Sequence, residues 1–193
     1  MPTMSRMEQV LCRSGLWNVI ARRIAYAALG GTEVFKDVLE IGGGSGAMAE
    51  SIVLDHPGCQ LTVIDFDPVM VAAARQRLTA LPNVSVQSAD ATKLPFEDAA
   101  YDTVLSFLML HHVIDWEAAV TEASRVLRPG GTFSGYDLTR TKASSLLHKL
   151  DRSPHRLIAQ GEFEKVAEQA GVDVPSVQYS KFKHIMSFTV HKL

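Results

Sequence analysis

Apolar and polar positions change period several times along the chain, and each change marks an element. Leu16, Ile20, Ile24 and Ala27 recur at helical spacing, with Asn18 and Arg22 off that line. This predicts one or two amphipathic helices ahead of Gly30-Gly31. Val38–Ile41 is a short apolar run closed by glycines, the pattern of a buried strand. Ala47–Leu54 then reads as a helix and Leu61–Ile64 as a second strand. Asp67-Pro68 opens a helix to about Leu78, with Asp67 suited to the N-cap and Pro68 to the first helical position. Val84–Val86 and Tyr101–Phe107 read as strands, Trp116–Leu127 as a helix, and Pro129-Gly130-Gly131 as a turn into a strand over Thr132–Tyr136. Phe163–Ala170 is a helix stopped by Gly171. Strand-like runs at Ser176–Phe182 and Ile185–Val190 finish the chain.

Strands alternating with helices predict a parallel sheet covered on both faces. The last two runs are too close for a parallel crossover, which needs about a dozen residues, so they predict an antiparallel hairpin. The expected fold is therefore α/β, a doubly wound, mostly parallel seven-stranded sheet with an antiparallel strand from the C-terminal hairpin. A chain of 193 residues suits one domain, read as a helical cap over 1–35 and a catalytic core over 36–193. In such sheets a ligand sits beyond the carboxyl ends of the strands, where the strand order reverses.

Composition narrows the partners. The net charge of −2 lacks the basic excess of a domain that grips nucleic acid by charge, so no nucleic-acid partner is expected. Cys12 and Cys59 match no metal-ligand spacing and read as reduced, buried thiols; no metal site is expected. No run is apolar and long enough to span a membrane, and no leader pattern precedes the first strand, which makes the cytoplasm the expected compartment.

The candidate chemistry lies at the predicted strand ends. After the first strand the chain reads Glu40-Ile41-Gly42-Gly43-Gly44-Ser45-Gly46. Glycines let backbone approach a ligand closely, and the helix N-terminus that follows favours a carboxylate or phosphate. Asp65 ends the second strand about twenty residues on, where an acid can accept both hydroxyls of a ribose. Phe66 beside it could pack on an adenine. Asp90 and Ala91, after the third strand, could read an adenine edge. At this point the pattern suits a nicotinamide dinucleotide as well, since Gly42, Gly44 and Ala47 fit a relaxed dinucleotide fingerprint.

Further motifs separate the two. Leu94-Pro95-Phe96, Tyr101-Asp102, Leu110-His111-His112 and Leu127-Arg128-Pro129-Gly130-Gly131 follow in order. With Val38–Gly46, Asp65 and Asp90-Ala91, the series resembles the class I, Rossmann-like S-adenosylmethionine-dependent methyltransferases, in particular the small-molecule group that includes the ubiquinone and menaquinone methylases. The resemblance covers about residues 36 to 138 well and the C-terminal hairpin loosely. It implies transfer of a methyl group from S-adenosylmethionine to a small-molecule acceptor, leaving S-adenosylhomocysteine. Glu40 and the backbone of Gly42, Gly43 and Gly44 would hold the methionine portion. Asp65 would bind the ribose hydroxyls with Phe66 against the adenine. Asp90 and Ala91 would read the adenine edge, and Ser106 or Phe107 would offer backbone contacts near the methionine amine. Ser106-Phe107-Leu108-Met109 stands where base amino-methylases carry an acid or amide, two prolines and an aromatic, which argues against methylation of a base.

His111 is the candidate general base, with His112 beside it; packing beneath the cofactor is the competing reading for either. Tyr136 and Asp137 could line an acceptor pocket, and Trp17 and Tyr26 could face it from the N-terminal helices. Arg140, Lys142, Lys149, Arg152 and Arg156 stand against the single acid Asp151 over 140–156. That segment could attract an anionic acceptor, or be a solvated helix face with Leu146, Leu147 and Leu150 on its buried side. A second copy of the chain is a further candidate partner, because the segments between strands are short. An NAD(P)-dependent oxidoreductase and a non-catalytic S-adenosylmethionine-binding protein are the alternative functions.

Overall fold

The computed structural model describes residues 36–193, except 152, 153 and 182, together with Ser14, Val19 and Arg23. The expected N-terminal helices, Cys12, Trp17 and Tyr26 lie outside the described residues.

The hydrophobic runs become strands β1 (Asp37–Ile41), β2 (Gln60–Asp65), β3 (Val84–Ser88), β4 (Tyr101–Phe107), β5 (Leu127–Leu138), β6 (Val172–Tyr179) and β7 (Ile185–Lys192). The helices are α1 (Ala47–Asp55), α2 (Pro68–Leu78), α3 (Trp116–Val126), α4 (Lys142–Asp151) and α5 (Glu162–Gln169). The strands form one sheet in the order β3-β2-β1-β4-β5-β7-β6. β1 pairs in parallel with both β2 and β4, whereas β7 is antiparallel to β5 and to β6. This is the expected doubly wound sheet with its antiparallel tail. The order reverses between β1 and β4, so the crevice opens beyond Ile41 and Phe107.

Local signals act as expected at α2. Asp67 accepts the Val69 N–H at 2.8 Å, and Pro68 occupies the first turn, where its missing N–H is not needed. β5 begins earlier than its apolar core suggests. Its pairing to β4 jumps from Tyr101–Leu127 to Thr103–Thr132, so Pro129-Gly130-Gly131 is taken up as an irregularity inside the strand, with Gly130 at φ +78°.

Two clusters cover the sheet. On one face, Ile41, Val104, Phe133 and Phe188 pack against Trp116, Val120 and Ala123 of α3 and Phe163 of α5. On the other, Val38, Val63, Leu105 and Tyr136 share a cluster with Ile52 of α1 and Ala74 and Leu78 of α2. Burial of these side chains is the main stabilising term, at roughly 25 cal/mol per Å² of apolar surface.

The turns around Leu94–Phe96 and Arg128 are structural. Arg125 donates to the carbonyls of Leu94 and Phe96 at 3.1 and 2.8 Å and pairs with Glu122. Arg128 bridges Asp102 and Asp37 at 2.6 and 2.9 Å, joining the feet of β4 and β1 far from the strand ends where ligands bind. Cys59 is buried and free, and burial pushes its thiol up. Leu146 departs from expectation. It is 60% exposed rather than buried, because α4 turns Ser144 inward to donate to the Thr139 carbonyl at 2.6 Å. Among the described residues, no helix is long and apolar enough to cross a membrane, and no group of three or more His, Cys, Asp or Glu could hold a metal.

Candidate active site

β1 ends on Glu40-Ile41, and the chain then turns sharply over the sheet edge. Gly42 and Gly44 adopt φ +69° and +54°, a region that L side chains enter only with strain. The Met109 side chain occupies the place where a Cβ on Gly42 would stand. Gly42 and Gly43 both donate to the Ile64 carbonyl, at 2.8 and 3.0 Å, which pins the turn onto the end of β2.

Asp65 closes β2 and organises the neighbouring backbone. One carboxylate oxygen accepts the Gly44 N–H at 2.9 Å, and the other accepts the Asp67 N–H at 2.8 Å. Burial pushes its carboxyl up, and these backbone donors pull it back. Asp65 therefore faces the cleft with a fixed orientation and with lone pairs to spare.

Glu40 is the opposite case. It is 1% exposed, and its Oε2 has no hydrogen-bond partner. Burial, and then the nearby Asp65 charge, push its carboxyl up from 4.5 to about 8. A buried orphan acid is expensive unless a cation or donor arrives to meet it.

The cleft between these groups has a volume of about 800 Å³ including its open mouth. Glu40, Gly42, Gly43, Gly44, Asp65, Phe66, Ala91 and Phe107 all line it, so three strand ends and the glycine turn converge as the sequence suggested. Asp90 does not line it. Its Oδ1 accepts the Thr92 N–H and hydroxyl at 2.8 and 2.7 Å, closing a local turn.

His111 also stays off the cleft wall. It is 2% exposed, and its Nδ1 is bonded to Asp137, which is itself fully buried at the end of β5. A general base must reach its substrate, so this geometry removes His111 from direct contact. Among the described residues, the imidazole that lines the cleft is His112, the histidine the sequence offered beside His111; Leu108 and Met109, which the sequence had not placed there, line it too. Both histidines sit in a single 3-10 turn, Leu110–His112, and one step along such a turn rotates a side chain by about a third of a circle. No sequence periodicity could choose between them. Tyr136 is buried, stacks near Phe107 at 5.3 Å between centroids, and has its hydroxyl pushed up by burial and by the Glu40 and Asp137 charges.

A family described as a methyltransferase domain matches residues 39–134, the stretch that carries every element of this cleft. Residues 39–134 of the chain thus match a methyltransferase domain. Demethylmenaquinone methyltransferase from Tropheryma whipplei is 34% identical over 110 residues, which cover 57% of this chain and 44% of that protein. The chain thus spans less than half the length of the curated relatives it matches. A chain of the complex between the Haloferax volcanii Trm112 methyltransferase activator and a methyltransferase superposes with a TM-score of 0.81, at 19% identity, covering 98% of both chains. Phosphoethanolamine N-methyltransferase 2 of Haemonchus contortus, in complex with S-adenosyl-L-methionine, superposes with a TM-score of 0.72 at 17% identity, covering 93% of this chain and 53% of that one. These two superpositions establish the shared fold.

The residues present suit this class's cofactor. The orphaned Glu40 oxygen needs a cationic donor inside the cleft, and the methionine ammonium of S-adenosylmethionine is one. Asp65 has accepting capacity left for vicinal hydroxyls. The backbone between them carries no Cβ that would block approach.

Proposed function

We propose that this protein transfers a methyl group from S-adenosylmethionine to a small-molecule acceptor. The observation that carries the reading is the unpartnered, buried Oε2 of Glu40, set against the glycine turn and across the cleft from Asp65. Glu40 would receive the methionine ammonium, Asp65 the ribose hydroxyls, and Phe66 and Ala91 the adenine. Phe107 and Leu108 would close the side toward the acceptor. Asp90, with its carboxylate engaged by Thr92, would act through the shape of its turn rather than as a ligand of the adenine. Once bound, the cofactor supplies an electrophilic methyl on sulfur. The protein's own share is to hold, orient and exclude water. The acceptor is read as a small molecule, the compartment as the cytoplasm, and a second copy of the chain as the candidate macromolecular partner.

Calorimetric titration with S-adenosylhomocysteine, with NAD as control, tests the reading. Micromolar binding of the first and none of the second is the expected result; binding of NAD alone would overturn it in favour of the oxidoreductase alternative. Asp65→Ala should weaken S-adenosylhomocysteine binding by about 1 to 3 kcal/mol, the scale for hydrogen bonds to a charged group. Unchanged affinity in that variant would remove Asp65 from the assignment.

A further inference from the structure

We propose that His112 is the catalytic residue that faces the reacting atoms, and that the buried His111–Asp137 pair is the device that positions it. This rests on the cofactor reading above. If the glycine turn and Glu40 take the methionine end, and Asp65, Phe66 and Ala91 the nucleoside, the described lining that follows β4 is Phe107, Leu108, Met109 and His112. Among the described residues that line the cleft, His112 is the one side chain with a titratable nitrogen.

The turn that carries His112 is fixed from several directions. Leu108 takes a left-handed φ of +51° and donates its N–H to the Tyr136 carbonyl at 2.9 Å. A branched side chain in that region signals an imposed conformation. Asp137 accepts the Leu110 N–H at 2.7 Å on one oxygen; on the other it meets His111 Nδ1 and the Leu138 N–H. The His111 carbonyl accepts the Arg156 N–H at 2.8 Å, which ties in the segment between α4 and α5. The His111 ring is therefore held at its nitrogen and at its backbone. The His112 ring lies against it, with centroids 4.1 Å apart and planes 41° apart. A carboxylate on Nδ1 also fixes the proton on that nitrogen and so the ring's orientation.

In transfer to a hydroxyl or amine, the acceptor's lone pair forms the bond to the methyl carbon. The carbon–sulfur bond breaks with its electron pair left on sulfur, and the acceptor's proton passes to the His112 imidazole. The other titratable groups on the cleft, Glu40, Asp65 and Asp67, lie on the cofactor side and are spoken for there.

The test needs no acceptor. In sinefungin a carbon replaces the sulfonium sulfur and its ammonium stands where the methyl does, while S-adenosylhomocysteine has nothing there. Comparing the two isolates contacts at the methyl position. At pH 8, above the ordinary imidazole range, His112→Ala should weaken sinefungin fivefold or more and change S-adenosylhomocysteine less than twofold. His112→Phe, which keeps a ring of similar size without an acceptor, guards against a packing effect and should give the same split. Asp137→Asn should reduce the preference for sinefungin two- to threefold, because it acts only through orientation. Equal loss of both ligands, or loss of neither, in both His112 variants overturns the proposal. Wild-type protein that binds neither ligand overturns the cofactor reading, and this proposal with it.

Discussion

The two halves of the cleft are built by different means. On the β1–β2 side the ligand-facing surface is mostly backbone, a glycine turn pinned by two donors to the Ile64 carbonyl and by Asp65 to Gly44. On the β4–β5 side it is side chains, carried on a 3-10 turn whose place is set by a buried carboxylate from a strand 26 residues further on. The first half can meet a ligand common to a whole class, because backbone N–H groups do not vary with sequence. The second half can be re-specified by single substitutions, which is where acceptor choice belongs. The two halves also store strain differently. The β1–β2 side keeps an acid without a partner, whereas on the β4–β5 side Asp137 has both oxygens engaged.

The sharpest way to break this contrast is Gly42→Ala. The added Cβ would meet the Met109 side chain at a residue with positive φ, so both halves should be disturbed at once. Strain and overpacking together should remove about 3 kcal/mol of stability. Chemical denaturation measures this, and a loss below about 1 kcal/mol would mean that Met109 is free to leave.

Glu40→Gln should separate function from stability on the β1–β2 side. Glu40 in the folded protein keeps its proton up to about pH 8, against an ordinary value of 4.5. The folded state thus binds more protons than the unfolded state between these values. Stability is greatest below the ordinary value and falls as pH rises toward 8. Glutamine removes that decline, so the variant should be the more stable of the two proteins at pH 8. It should bind S-adenosylhomocysteine about tenfold more weakly, the equivalent of one lost charge-assisted bond. Melting curves across pH 5 to 8 decide the matter; parallel curves for the two proteins would refute the raised carboxyl.

The smallest effect is expected at Arg156→Ala. Its guanidinium chelates Glu117 at 2.5 Å and lies 5.6 Å from the Trp116 ring, but the side chain is 45% exposed. Exposed pairs are worth within about 1 kcal/mol. Because the backbone N–H to His111 survives the substitution, affinity for S-adenosylhomocysteine should stay unchanged. A large loss there would show that the guanidinium, rather than the backbone, holds the segment between α4 and α5 to the cleft.

Much of this was legible before any coordinates. Period-two and continuous apolar runs placed all seven strands, because a strand buried on both faces must be apolar along its length. Asp67-Pro68 located the start of α2, since caps act within a few residues. The glycine turn and Asp65 were legible for the same reason, as backbone conformation and strand ends are local properties. Tertiary structure decided the rest. It bonded Asp90 to Thr92 and left it out of the described cleft lining. It chose His112 over His111 for the cleft wall by bringing Asp137 from β5 onto the neighbouring ring. It exposed Leu146, where helical spacing alone predicts burial. It put Met109 over Gly42, a contact between residues 67 positions apart. The division has one physical cause. Sequence by itself determines where the backbone turns and which runs must leave water, whereas the direction a side chain faces at a strand end depends on which distant residue arrives to meet it.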